Sequence, residues 1–290
     1  MIRLITVGTL ISMISTSLTC ASEEKKRQEM IYAKTRAVQE MMAKVYQGTN
    51  STITVERQVV VKLEELIPDF ALCIPVPPEI NQQKILEIRY RPTPSEIIER
   101  QGQKYLLYYD PPSNNFGAYA WEAKIQILGI TQITPSESLL LSLSELPSET
   151  LTTYTASSNI FDLNSHEVSV AADEAVGSDT LTLRRITRIL EYIKTNIKPK
   201  RRKDFSTAKD IIKGGKGSDE ERIIVLSALC RKKAIPTRLI TTKKDQFLQI
   251  YLAPYGWLIL DPLDGNFYVG GDLILQCQAD YQNFLYQGWN

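Results

Sequence analysis

Apolar positions change their period several times along the chain, and each change marks a predicted element. Between Glu24 and Tyr46 there is no Gly or Pro, and Met30, Ala33, Ala37, Met41 and Val45 recur at helical spacing. This predicts one amphipathic helix ending near Gly48, with the Met stripe as a packing face. From Thr52 to Thr131 the pattern is that of strands. Thr52–Val55, Val59–Val61, Phe70–Ile74, Ile85–Tyr90, Tyr105–Tyr109 and Ala118–Ile130 are apolar or β-branched, with Pro, Gly and Asn between them. Short strands punctuated in this way predict an antiparallel β-sandwich. Thr134–Ser178 is the least patterned stretch, rich in Ser, Thr and Pro, and is expected to connect two domains. Helical spacing returns at Thr180–Ile193, where Leu183, Ile186, Leu190 and Ile193 share a face.

The last third mixes both periods. Ser218 and Glu221 form a capping box: the hydroxyl accepts the amide three residues on, and the carboxylate reaches back. Asp219, Glu220 and Glu221 complement the positive end of the helix dipole. Ile223, Leu226 and Cys230 lie on one face of this helix, which is expected to end near Lys232-Lys233. Strands are predicted at Leu239-Ile240, Phe247–Leu252 and Gly256–Pro262. The class is α+β: an N-terminal antiparallel β-sandwich domain followed by a mixed core. Its expected divisions are 1–21 leader, 22–50 helix, 51–132 sandwich, 133–178 connection and 179–290 α+β domain.

The leader changes the expected location. Met1-Ile2-Arg3 is a short basic start, Leu4–Ile14 is mostly apolar, Ser15–Ala21 is small and polar, and a charge run follows at Glu23–Arg27. That is the pattern of a secretory signal peptide. The chain is therefore expected to be exported, as a periplasmic, secreted or lipid-anchored protein of the cell envelope. Cleavage after Ala21 is one route. Lipidation at Cys20, giving a membrane tether, is the other, although Leu18 stands two residues before the cysteine where the lipoprotein pattern has three.

Composition excludes more than it assigns. With 290 residues, 43% hydrophobic, the chain can build real cores. Its 34 basic and 33 acidic residues leave a formal net charge of +1, without a nucleic-acid footprint. The run Lys198–Lys203 is expected to be a solvated loop. Cys20, Cys73, Cys230 and Cys277 contain no CxxC pair, and neither a metal site nor a cofactor is expected. Lys213–Gly217 is glycine-rich but is not a phosphate-cradling loop: Asp210 stands where the first Gly is needed, and Gly217 where Ser or Thr is needed.

Gly217-Ser218-Asp219 opening a helix, Ala228-Leu229-Cys230-Arg231, Ile235-Pro236-Thr237-Arg238, Tyr251, and Tyr255-Gly256-Trp257 closing on Asp261-Pro262 resemble the transglutaminase-like (papain-type thiol) superfamily. Ile74–Pro77, Gln82-Gln83 and Gly102–Tyr105 resemble the domain that often precedes this core in bacterial members. The resemblance implies a cysteine at the helix start, a histidine base on the next strand and an orienting aspartate on the third. Carried onto this chain, the cysteine position is Ser218 and the histidine position is Asp245, or Gln246 if the register slips by one. The aspartate position is Asp261. Phe247, Gln249 and Ala234 occupy the places of the usual aromatic, acidic and glycine residues.

These departures decide the expected chemistry. A helix dipole alone does not make useful alkoxide from serine, and a carboxylate at 245 beside Asp261 is a poor base for it. Cys230 lies about 18 Å along the helix from its start. His166, the single histidine, sits in the weakly patterned stretch. No catalytic residue is expected. The chain is expected to be a pseudoenzyme that binds or scaffolds an unidentified protein or envelope ligand. The competing reading is a divergent peptidase or amidase using Ser218 with Asp245 and Asp261.

Overall fold

The computed structural model describes residues 5–48, 50–62, 71–100, 103–109, 116–201, 206–242, 246–271 and 274–278. Helix α1 (Ile5–Tyr46) leads into β1 (Asn50–Lys62), β2 (Ala71–Pro75), β3 (Gln83–Arg91), β4 (Glu96–Arg100), β5 (Gln103–Tyr109) and β6 (Phe116–Leu128). These strands form two three-stranded antiparallel sheets, ordered β1-β6-β3 and β2-β5-β4. Alternation turns Tyr119, Trp121, Ala123, Ile125 and Ile127 of one sheet toward Ile74, Leu106 and Tyr108 of the other, and they share one buried cluster. The Trp121 indole N–H donates to the Pro75 carbonyl at 3.1 Å, so the ring is buried without an orphaned donor.

After β7 (Thr131–Ile133) come two single 3-10 turns, then α2 (Ser148–Tyr154), α3 (His166–Val176) and α4 (Thr182–Asn196). They are followed by β8 (Lys198–Pro199), α5 (Ala208–Gly214), β9 (Lys216–Gly217), α6 (Asp219–Lys232), β10 (Thr237–Thr242), β11 (Gln246–Leu252), β12 (Gly256–Leu260), β13 (Phe267–Val269) and β14 (Ile274–Gln278). Six strands make one antiparallel sheet in the order β14-β10-β11-β12-β13-β7. Helices α3, α4, α5 and α6 pack together, and α6 lies against β10 and β11. The fold is α+β, as the change of period predicts.

Residues 133–178 are more than a connection. Helix α3 buries Val168, Ala171, Ala172, Ala175 and Val176 in the main core. Its apolar face is mostly alanine, which is why the pattern looked weak. The Glu137 carboxylate accepts the Thr182 and Leu183 amides at 2.7 and 2.8 Å, capping α4 from outside where Leu181 offers no side-chain cap. Helix α1 also packs on this half: Val38 and Met42 join its core, and the Lys34 ammonium donates to the Leu140 carbonyl at 2.8 Å.

The two β-rich halves are joined at defined points. The Gln83 amide donates to the Ile274 and Pro78 carbonyls and accepts from the Ile274 amide, at 2.8–2.9 Å. One 2% exposed side chain thus pins β14 to the turn before β3. Gly270 (φ +75°) presses on 128–129, and a Cβ there would lie 2.4 Å from the Gly129 carbonyl oxygen. Only glycine fits that approach.

Candidate functional site

Helix α6 begins at Ser218 because the sequence supplies both halves of its cap. The Ser218 Oγ accepts the Glu221 amide at 3.3 Å, and the Glu221 carboxylate accepts the Ser218 amide at 2.9 Å. The same hydroxyl donates to the Glu220 carboxylate at 2.8 Å. Both the acceptor and the donor capacity of the residue at the cysteine position are engaged within one helical turn. A shallow depression of about 440 Å³ lies over it, and the described residues lining it are Pro199, Lys200, Arg201, Ser218, Asp219 and Glu220. All of these come from the helix start or from β8 and the residues directly after it.

Asp261 stands immediately after β12, where the resemblance places the orienting aspartate. Its Oδ1 accepts the Leu263 amide at 2.7 Å, while its backbone bonds Asn266 and Gly265. It closes the turn between β12 and β13. Among the described residues, no hydrogen bond or ion pair links Asp261 to Ser218. Asp245 lies outside the described residues. Gln246 opens β11 opposite Thr241 and shares the face of Leu248 and Ile250, whose side chains are buried in the core around α6. Leu260 belongs to that same buried cluster, so strand alternation turns the following Asp261 away from it.

Neither alternative nucleophile nor base is placed to help. Cys230 is fully buried on α6, and burial pushes its thiol up to about 12, against a smaller opposing effect of Arg231. His166 is exposed at the first position of α3. Among the described residues, no group of three or more His, Cys, Asp or Glu side chains could hold a metal ion, and no helix is long and apolar enough to cross a membrane.

The other end of α6 is organised differently. Arg231, 3% exposed, donates to the Thr237 Oγ1 (3.0 Å), the Thr237 carbonyl (2.8 Å) and the Ala156 carbonyl (2.9 Å), and its guanidinium lies 4.2 Å over the Phe161 ring. Ser227 and Thr237 share a hydrogen bond of 2.7 Å. On the opposite face of β10, Arg238 donates through Nε to the Gln249 carbonyl oxygen at 2.7 Å and lies 4.3 Å over Trp257. Gln249 is the neutral residue at the family's acidic position, and it still accepts from this arginine. The motif residues showed the fold before their partners were known. Only the cationic Arg231, inside an otherwise apolar helix face, hinted at a buried network.

The antiparallel sheet with α6 packed against β10 and β11 is a transglutaminase-like, cysteine-protease-type α+β fold. Residues 170–262 match the model of the Transglutaminase-like superfamily. A protein from Cytophaga hutchinsonii described as a candidate cysteine protease has a similar structure: TM-score 0.57, 15% identity, covering 82% of this chain and 86% of its own. At that identity the likeness shows the fold alone. A candidate protease from Parabacteroides distasonis matches with a TM-score of 0.32 at 11% identity, over 80% of this chain and 48% of its own. No curated protein sequence matches the chain.

Proposed function

We propose that this is a non-catalytic transglutaminase-like protein, exported and acting in binding or scaffolding at the cell envelope. The observation that carries this reading is the engagement of the Ser218 hydroxyl. It accepts from one helix amide and donates to one exposed carboxylate, and no histidine lies beside it. Glu220 is an exposed carboxylate two residues on, and serine activation calls for an adjacent imidazole-type base. Fold does not imply activity, and a site without its thiol and imidazole lacks the means for acyl transfer. The N-terminal pattern of basic start, apolar run and small residues supports export. The alternative hydrolase of Ser218, Asp245 and Asp261 gains nothing from the bonds Asp261 makes to its own turn.

Turnover measurements test the reading. Peptide, amide and glutaminyl–amine substrates should be processed at background rate by the native chain and by Ser218→Ala alike. Turnover that Ser218→Ala abolishes would remove it.

A further inference from the structure

A second candidate surface lies beside the α6 start. Exposed cations from two separate segments meet there. Lys198 and Lys200 come from β8 and its continuation, with Arg201 next to them. Lys213 comes from the last turns of α5 and Lys216 from β9. The β8–β9 pairing sets Lys198 directly beside Lys216, and the Lys200 amide bonds the Gly217 carbonyl at 2.9 Å. The sequence run alone gives a basic loop. The fold turns it into a patch held in place by backbone hydrogen bonds, with like charges side by side, which is an unfavourable arrangement in isolation.

None of these five cations forms an ion pair among the described residues, and the nearest acids, Asp219 and Glu220, line the same depression as Lys200 and Arg201. Asp210 accepts from the Thr207 hydroxyl at 2.8 Å, Asp219 lies 3.7 Å from Arg222, and Glu220 accepts from Ser218. In a chain of net charge +1, five exposed cations beside Asp219 and Glu220 are a local excess rather than a general one.

We propose that this patch docks the protein on an anionic lipid surface. The choice of lipid over another polyanion rests on the envelope reading above and on the apolar N-terminal segment of the same chain. The patch also lacks exposed aromatic rings among its residues, which single-stranded nucleic acids use for stacking. The attraction is electrostatic and additive over exposed cations near the membrane, so each cation removed should weaken binding about fivefold.

Vesicle co-sedimentation of the full chain tests this, with neutral phosphatidylcholine vesicles against vesicles containing about a third phosphatidylglycerol. The N-terminal segment also carries cations (Arg3, Lys25, Lys26, Arg27), and comparison of the native chain with the double variant isolates the patch. The native chain should bind the anionic vesicles more tightly. The preference should fall about 25-fold in Lys198→Gln/Lys216→Gln. It should also fade as salt rises to about 1 M, where the screening length drops to about 3 Å. Circular dichroism and urea midpoints should show the double variant folded and no less stable, since it removes a like-charge pair. Equal binding to both vesicle types, or an unchanged preference in the double variant, overturns the proposal. So does stronger charge-dependent binding to duplex DNA or heparin than to the vesicles. Enzymatic turnover through Ser218 would sink the functional reading and leave the vesicle result untouched, so the two failures are distinguishable.

Discussion

The two ends of helix α6 have been treated differently. At its C-terminal end, Arg231, Ser227 and Thr237 form a buried network, and Arg238 is held between Gln249 and Trp257 on the other face of the sheet. At its N-terminal end, Ser218 stands at the cysteine position as a cap, and its bonds close on its own helix. One helix thus carries a buried network tied to several partners at one end and a self-contained cap at the other.

The comparison breaks most readily at the C-terminal end. Arg231→Ala removes three hydrogen bonds of a charged donor and leaves the buried Thr237 acceptors without it. It should cost about 3–4 kcal/mol in urea unfolding, with loss of a cooperative transition as the extreme outcome. A cost near zero would show that the network is incidental. Gln83→Leu tests the joint between the halves in the same way. Loss of its bonds to Ile274 and Pro78 should cost about 2–3 kcal/mol, and exchange protection of β14 amides should fall with it.

The buried thiol gives a pH test. Cys230 carries a pKa of about 12 in the folded chain against 9.0 for an ordinary thiol, because burial disfavours the thiolate. The folded state therefore retains a proton that the unfolded state gives up. Its contribution is complete below about pH 9 and shrinks by about 1.4 kcal/mol per pH unit between about 9 and 12. Cys230→Ala should flatten that part of the stability profile. It should not restore or remove any activity.

The smallest effect belongs to the capped N-terminal end. Ser218→Ala should cost about 1 kcal/mol, the usual value of an N-cap. Glu221→Gln should cost a similar amount, and the pair should couple in a double-mutant cycle because they share the box.

Much of this contrast could be read from the sequence. Ser218 with Glu221 follows the capping rule, and the strands expected at Leu239-Ile240, Phe247–Leu252 and Gly256–Pro262 show as short apolar runs within or over β10, β11 and β12. Helix α3 was hidden because alanine carries little hydrophobic signal, although it packs as tightly as leucine would on a less crowded face. The small strands β13 and β14 were hidden because their stability comes from neighbours across the sheet, not from their own length. Gln83 and Glu137 act across 191 and 45 residues, a range that no local pattern reports. For the candidate site, the positions of Ser218 and Asp261 were legible. The Ser218–Glu221 cap was legible too, whereas the bond of Ser218 to Glu220 and that of Asp261 to Leu263 were not.

The central claim is that the Ser218 hydroxyl caps a helix and is not a nucleophile. Incubation of the folded chain with a fluorophosphonate, followed by mass spectrometry of the peptide containing Ser218, tests it most directly. The account predicts an unmodified serine, with labelling no greater than in urea-unfolded protein. Stoichiometric labelling of Ser218 that requires the folded state would contradict it.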